Sequence, residues 1–474
     1  MTTRTWMRVN VAIAVFAGLA LRIFFVLRFP ATNSGDSPFY IELAWNWLKK
    51  GVYGVEIGSR LVPLDTRVPG YPAFLAAVFA TAGNSPRAVM LWQVVVDLAA
   101  CCVIALMAAR LALEGSRRPA ALAALWLAVL CPFTANYTAA VLTETLVTFL
   151  TALGLLLVLE GCAEPAARTA KGTGVFTSPW FLAGIIGGLG ALVRPETPLL
   201  LMAAGVVLLL GWRRRADWQR LGRAGGLMAV GLVLPLMPWA ARNWRSLHEV
   251  QFLAPRYANL PEELIPLGFN HWTGTWLWRY GDVYLTLWKL DDEVIPPDTI
   301  PARAFDSPDE RDRVGALLAH YNTTLTLTPE DDRLFAEIAR ERTRRHPLRT
   351  YVKIPLLRSL AMWFTPRIEL LPLSGQVFPL GSEWENDRKD LLLSLLLVSV
   401  NGAYVALGLA GAWIARDRPG CAPLILFICL RTLFFAAFVE TPEPRYVLEC
   451  FPALIACAAQ VFATPNQLSS TGSG

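Results

Sequence analysis

Apolar residues run along this chain in long blocks separated by short polar stretches. A helix that crosses a bilayer needs about 20 mostly apolar residues, and the first block, from about Val9 to Phe29, has that length. Further blocks follow at about Ala88 to Leu113, Ala120 to Asn136, Ala139 to Leu159, Trp180 to Val193, Pro198 to Trp212 and Gly225 to Trp239. From Asn243 to about Lys389 the chain turns polar, mixes acids with bases and carries turn signals such as Pro296-Pro297, which predicts a folded α-rich insert outside the cytoplasm. Three last blocks lie near Leu391 to Ala415, Cys421 to Val439 and Tyr446 to Phe462. The pattern predicts an all-α polytopic membrane protein of about ten spanning helices. Its expected parts are a membrane module over 1–242, an insert over 243–388, terminal membrane helices over 389–464 and a disordered tail over 465–474.

The first two blocks are joined by roughly sixty residues, far more than two bundled helices need. Within this loop (30–86) Pro38 to Lys50 predicts a short helix, with Ser37 as N-cap, Pro38 at the first helical position and Gly51 as the stop. Phe39, Leu43 and Trp47 fall on one side of it, as in a helix lying along a membrane surface. Ala73 to Ala82 is apolar but too short to cross. Two interfacial helices thus flank Gly35-Asp36-Ser37. Asp36 either shapes an Asx turn or serves as a basic carboxylate, and this stretch alone leaves both open. In the insert, Thr328-Pro329-Glu330 to Arg345 predicts a capped helix, and Leu348 to Phe364, apolar with Lys353 and Arg358, an interfacial one.

Composition agrees with the pattern: 54% of residues are hydrophobic, 11% aromatic, and the mean hydropathy is +0.43. The net charge of +6 needs no nucleic acid, because the basic residues gather in short loops that helix parity puts inside. These are Arg110, Arg117 and Arg118, then Arg168 and Lys171, then Arg213-Arg214-Arg215 with Arg220 and Arg223, and finally Arg416 and Arg418. Arg22 interrupts the first block, so that helix is expected to remain uncleaved with its N-terminus inside. The eight cysteines lie in or beside apolar blocks and imply no disulfide framework. His248, His271, His320 and His346 are scattered without zinc-ligand spacing. Asp36, Glu144 and Glu196 are hard oxygen ligands, so no cofactor is expected but a divalent cation stays open. Trp272, Trp276 and Trp278 either pack, anchor at an interface or stack on a ligand, and Asn322-Thr323-Thr324 is a glycosylation acceptor only in a secretory pathway.

The same parity puts Arg22, Asp36, Asp65, Arg67, Glu144, Arg194, Glu196, Arg242, Glu440, Glu443 and Arg445 at the outer face. Single members have plain structural readings, such as Arg22 snorkelling or Arg194-Pro195-Glu196 ending a helix. Their gathering opposite the basic loops points to a site. A transporter or lipid flippase is the alternative, but it would place such charges near the midplane on broken helices.

The series Gly35-Asp36-Ser37-Pro38-Phe39-Tyr40, Arg67-Val68-Pro69-Gly70-Tyr71-Pro72, Leu142-Thr143-Glu144-Thr145-Leu146, Leu192-Val193-Arg194-Pro195-Glu196, Pro238-Trp239-Ala240-Ala241-Arg242-Asn243 and Pro444-Arg445-Tyr446 resembles the GT-C class of integral-membrane glycosyltransferases. The similar branches are the protein mannosyltransferase-like and lipid A 4-amino-arabinose transferase-like ones. The resemblance covers Arg4 to Trp244 and Leu391 to Phe462, and hardly reaches the insert. It implies an inverting transfer of a sugar from a polyprenyl-phosphate carrier, among membrane lipids, to a hydroxyl on a glycan or lipid acceptor. Many relatives carry Asp-Glu in the first loop where this chain has Asp36-Ser37, which argues against protein as the acceptor. Asp36 is then the expected base, and Arg445, Arg194, Arg67 and Arg242 the expected donor-phosphate contacts. Glu144, Tyr40, Glu196 and Tyr71 are expected to bind substrate or orient the others. The expected location is a bacterial inner membrane, with the site facing the periplasm or cell exterior.

Overall fold

A computed structural model describes residues 3–163, 174–212, 218–257, 259 and 263–463. The expected basic groups Arg168/Lys171 and Arg213-Arg214-Arg215 and the expected tail lie outside the described residues. The fold is all-α and polytopic; among the described residues its one sheet is a two-stranded hairpin. The chain forms two compact units, Met1–Arg256 with Ile368–Ile428 and Leu448–Gly474, and Tyr257–Arg367 with Cys429–Val447.

The first unit runs α1 (Thr3–Arg28), α2 (Ser37–Lys50), β1 (Gly54–Ile57), β2 (Arg60–Pro63), α3 (Gly70–Ala82), α4 (Pro86–Leu111), α5 (Arg117–Val129), α6 (Pro132–Tyr137), α7 (Glu144–Ala163), α8 (Pro179–Ala191), α9 (Leu199–Trp212) and α10 (Trp218–Leu247). Seven helices among the described residues are long and apolar enough to cross a membrane. Three expected spans, α5, α8 and α9, have only 13, 13 and 14 helical residues. Physical reasons for two of the shifted boundaries are visible. Pro132, at the start of α6, has no N–H to continue α5 and biases Cys131 out of the helical region. Residues 139–141 stay out of the helix because they pair with Ala31: its N–H donates to Ala139 O at 2.8 Å, and Val141 N–H donates to Ala31 O at 3.3 Å. Helix α7 therefore starts at Glu144 rather than Ala139.

Close helix packing relies on glycine. A Cβ added at Gly184 or Gly188 of α8 would sit 2.3 Å from Met228 O or 2.4 Å from Leu232 O of α10. The small-xxx-small spacing lets two backbones touch where lipid gives no hydrophobic drive to association.

Side-chain contacts within this unit define two ends. At one, Arg418 Nη1 donates to Leu111 O (3.1 Å) and to Gln460 Oε1 (2.6 Å), and Arg110 pairs with Glu160 (2.6 Å). This end carries Arg110 and Arg418. At the other, Gly70 N–H donates to Leu192 O (2.6 Å) and Arg242 reaches Leu64 O (2.8 Å). Arg22 belongs to neither. Expected at the outer face or snorkelling toward it, Arg22 is instead fully buried among α1, α4 and α5. Its Nε donates to Asp97 Oδ2 (2.7 Å), and its Nη1 to Gly18 O (3.0 Å) and Val129 O (2.6 Å).

The second unit has its own core of Phe269, Trp272, Trp276, Val314, Leu318, Tyr321, Phe335 and Ile338. Trp272 and Trp276 are therefore packing residues, whereas Trp278 is half-buried with the Arg279 and Arg303 guanidinium groups 4.8 and 5.7 Å from its ring. The expected capped helix spans Pro329–Arg345, and Thr328 Oγ accepts from Asp331 N–H at 3.1 Å. The Asn322 amide is doubly bonded to the Ile295 backbone (2.8 and 2.9 Å), which ties up the nitrogen that a glycan would need. The expected interfacial helix is a π-helical turn, Arg349–Lys353, followed by Ile354–Trp363. It exposes Leu348, Tyr351, Val352, Leu356 and Leu360 while burying Ile354, Arg358 and Met362, the two-faced arrangement of a helix lying in an interface.

Candidate functional site

Asp36 occupies the residue before α2, one position earlier than the expected cap, and makes no side-chain capping bond. Ser37 is already helical, and its hydroxyl donates to Ser34 O (2.7 Å). Pro38 at the start and Gly51 in the left-handed region (φ 70°) at the end set the length of α2. Its buried face is Tyr40, Leu43 and Ala44, while Trp47 of the expected Phe39/Leu43/Trp47 side is exposed. The Asp36 carboxylate faces Arg67, with Arg67 Nη2 donating to Asp36 Oδ1 at 2.8 Å, and 36% of the Asp36 side chain is open to solvent.

The hairpin holds Arg67 in reach. Ile57 and Arg60 are paired across Gly58 (φ 62°), a turn that needs positive φ. Beyond the strands, Tyr53 Oη donates to Arg67 O (2.9 Å) and Val68 O (3.2 Å), and the Arg67 guanidinium lies 5.5 Å from the Phe39 ring centre. Burial works against the Arg67 charge, but Asp36 and Tyr40 outweigh it and raise its pKa above the ordinary value. Arg67 stays protonated at any working pH.

Tyr40 is buried, and burial followed by the Asp36 charge pushes its hydroxyl up to about 12. It also feels Arg67, Arg194 and Glu144, so two ionic groups meet around it. Its ring meets Tyr71 edge-on at 5.2 Å, and Tyr71 Oη donates to Gln93 Oε1 at 2.8 Å. Gln93 Nε2 in turn donates to Thr138 O (3.2 Å) and Ala140 O (2.7 Å), anchoring the pair to the loop before Glu144.

The second ionic group centres on Arg194. Its Nη1 donates to Glu144 Oε1 (3.1 Å), its Nε to Glu196 Oε1 (2.8 Å), and Glu449 Oε1 lies 3.8 Å away. Glu144 and Glu449 are buried, with side chains 1% exposed. The segments carrying Arg67 and Arg194 are locked by the Gly70–Leu192 bond, and a Cβ at Gly70 would stand 2.5 Å from Leu192 O.

Arg242 braces the segment that leads into Arg67. It donates to Leu64 O (2.8 Å), Tyr53 O (2.6 Å) and Asn243 Oδ1 (3.0 Å), with its guanidinium 5.3 Å from the Tyr53 ring and 5.0 Å from that of Trp239. Arg445 belongs to the second unit, where it pairs with Glu443 at 2.6 Å. Glu443 also accepts from Tyr446 Oη (2.8 Å).

In one unit the structure thus brings together Asp36, Tyr40, Arg67, Tyr71, Glu144, Arg194 and Glu196. Sequence reasoning missed Gln93 and Glu449. Both carried the same signal, a polar side chain inside an apolar block. No group of three metal-ligating side chains forms among the described residues, and Asp36, Glu144 and Glu196 each face a guanidinium.

A family model described as dolichyl-phosphate-mannose-protein mannosyltransferase matches residues 66–239, which include Arg67, Tyr71, Glu144, Arg194 and Glu196. No curated protein matches the chain. Among solved structures, the Archaeoglobus fulgidus oligosaccharyltransferase tethered to an acceptor peptide containing the NVT sequon is 11% identical, with 97% of this chain and 49% of that one covered and a TM-score of 0.51. Its apo form is 12% identical, with 96% and 50% covered and a TM-score of 0.50. ArnT from Cupriavidus metallidurans bound to undecaprenyl phosphate is 13% identical, with 98% and 78% covered, at a TM-score of 0.40. The chain spans about half the length of the oligosaccharyltransferase chains, and what it shares with them is the fold. Over residues 66–239 the chain is similar to that mannosyltransferase family, and its all-α polytopic membrane fold is of the GT-C type.

Proposed function

We propose that the chain is an inverting glycosyltransferase that moves a sugar from a polyprenyl-phosphate carrier to a hydroxyl of a glycan or lipid. The site would face outward from its membrane, a bacterial inner membrane on this reading. One observation carries the proposal: a solvent-accessible carboxylate, Asp36, is held by a guanidinium beside a second ionic group centred on Arg194. The matching family's description supplies the carrier class.

An alcohol is a poor nucleophile near neutral pH, so its proton must be taken as it attacks. Asp36 accepts that proton while the acceptor oxygen bonds to the anomeric carbon from the face opposite the phosphate. The bond from that carbon to the phosphate oxygen breaks, and the electron pair leaves with the lipid phosphate as a dianion. With a second pKa of about 6, this leaving group calls for cations more than for an acid. Arg194 is the proposed phosphate contact in this unit, because a planar guanidinium binds phosphate oxygens bidentately. Arg67 keeps Asp36 aimed and adds positive charge, while Tyr40 and Tyr71 tie the two ionic groups to the helices. Arg242, with three bonds into its own unit, holds the segment that carries Arg67.

Membranes containing the chain, supplied with a panel of radiolabelled polyprenyl-phosphate sugars, are expected to release label from one donor into a glycan or lipid fraction. Transfer from none of them sinks the proposal, and label in protein moves the acceptor assignment.

A further inference from the structure

In the second unit the π-helical turn Arg349–Lys353 and the helix Ile354–Trp363 are five and ten residues long. Together they fall short of the roughly 20 residues that cross a bilayer. We infer that their exposed face is a docking surface for anionic phospholipid, with Arg344 and Lys353 at the headgroup phosphates and the apolar row from Leu348 to Phe364 among the acyl chains. The inference concerns lipid recognition and does not depend on the transferase reading.

The division of the two faces is the first observation. Leu348, Val352, Leu356, Leu360 and Phe364 recur every four residues, which puts them in one row along the segment, and their exposures run from 47% to 75%. Ile354, Arg358 and Met362, also four apart but offset by two, form the opposite row and are buried. A contiguous exposed apolar row calls for a partner, as scattered single residues do not.

Depth is the second. Arg358 Nη1 donates to Val439 O (3.2 Å) and Ala436 O (3.5 Å), and Trp363 Nε1 donates to Thr432 Oγ1 (3.0 Å). These acceptors lie in or just past the last two turns of Cys421–Phe438, a helix long and apolar enough to cross a membrane. The segment is therefore tied alongside the end of a span, where hydrocarbon gives way to headgroups.

Charge is the third. Residues 340–364 carry seven basic side chains and one acidic, Glu341. Arg342, Arg345 and Arg349 are matched by Asp306 and Glu310, and Arg358 spends its hydrogens on backbone carbonyls. Arg344 and Lys353 are exposed and join no ion pair among the described residues. Arg344 lies four residues before Leu348, and Lys353 follows Val352 directly, so long basic stems stand beside the apolar row.

These features choose among partners. A zwitterionic lipid satisfies the row but offers the two cations no net attraction, whereas each basic residue close to an anionic surface favours binding about fivefold. A second copy of the chain, pairing row against row, would bring like charges together at a cost.

The test uses the full-length chain with a photoreactive benzoyl-phenylalanine in place of Leu356, assembled in nanodiscs of phosphatidylcholine and phosphatidylglycerol at about four to one. A second probe in place of Leu360, also exposed, serves should the first fold poorly. After illumination, mass spectrometry identifies the adducts, with no turnover required. Lipid adducts are expected, with phosphatidylglycerol about five- to twenty-fivefold above its share. Arg344→Gln combined with Lys353→Gln should return it to that share, and Lys353→Arg should keep the enrichment. Adducts with no lipid, or only with a second copy of the chain, overturn the inference. So does phosphatidylglycerol at its bulk share with both cations present, or an enrichment that the double glutamine variant leaves unchanged.

Discussion

Two aspartate–arginine pairs in the same unit show how surroundings, rather than chemistry, assign a role. Arg22 and Asp97 meet inside the helix bundle, with side chains 0% and 3% exposed, and backbone carbonyls of Gly18 and Val129 take further guanidinium hydrogens. Asp36 and Arg67 meet at the end of the bundle with side chains 36% and 23% exposed. The first pair is closed to any substrate, so its work is to join α1 to α4 and α5. The second is open to solvent. An ion pair taken out of water gains little net stability, yet removing one partner leaves a bare charge in an apolar interior. The two pairs should therefore fail in opposite ways.

The largest contrast is expected from Asp36→Asn. Loss of a general base lowers turnover by about 10²- to 10⁴-fold, while the amide keeps the size of the side chain and the fold survives. Initial rates of sugar transfer, read beside thermal melting in detergent, test this. Turnover within threefold of wild type would remove Asp36 from the mechanism. Asp97→Ala should act on stability instead, costing about 3–5 kcal/mol because Arg22 is left unpaired. The double change Arg22→Met with Asp97→Leu should recover most of that loss in the same melts. If Asp97→Ala melts with the wild type, the buried pair is not a structural tie.

Smaller but diagnostic is Gly70→Ala, which probes the link between the two ionic groups. A methyl group 2.5 Å from Leu192 O forces the segments apart, at an overpacking cost of about 1–3 kcal/mol. A shift of this size also displaces Arg67 relative to Arg194, so kcat is expected to fall by roughly tenfold to a hundredfold. Normal kcat with lowered melting temperature would show that the Gly70–Leu192 lock serves stability alone.

Much of the architecture could be read directly from the chain. Apolar blocks located the helices, and the Thr328 cap and Gly51 stop stand where turn chemistry places them. Boundaries shifted where a distant partner competed for the backbone, as when Ala31 held residues 139–141 out of α7. The Gly54–Ile57/Arg60–Pro63 hairpin was not anticipated, since four-residue strands carry little periodicity. Arg22 was misplaced for a related reason. A charge in an apolar block says that it needs a partner, but not whether the partner is water, lipid headgroup or Asp97.

By itself, then, the sequence determined that this is a membrane protein of many helices and which charged residues lie outside the apolar pattern. Those properties follow from local hydrophobicity and length, which each stretch carries alone. The tertiary structure alone decided that Arg67 faces Asp36, that Arg194 collects Glu144, Glu196 and Glu449, and that Arg22 is sealed against Asp97. Apart from Arg194–Glu196, these pairings join residues dozens to hundreds of positions apart, and Coulomb and hydrogen-bond energies depend on distance in space, which only packing of the whole chain sets.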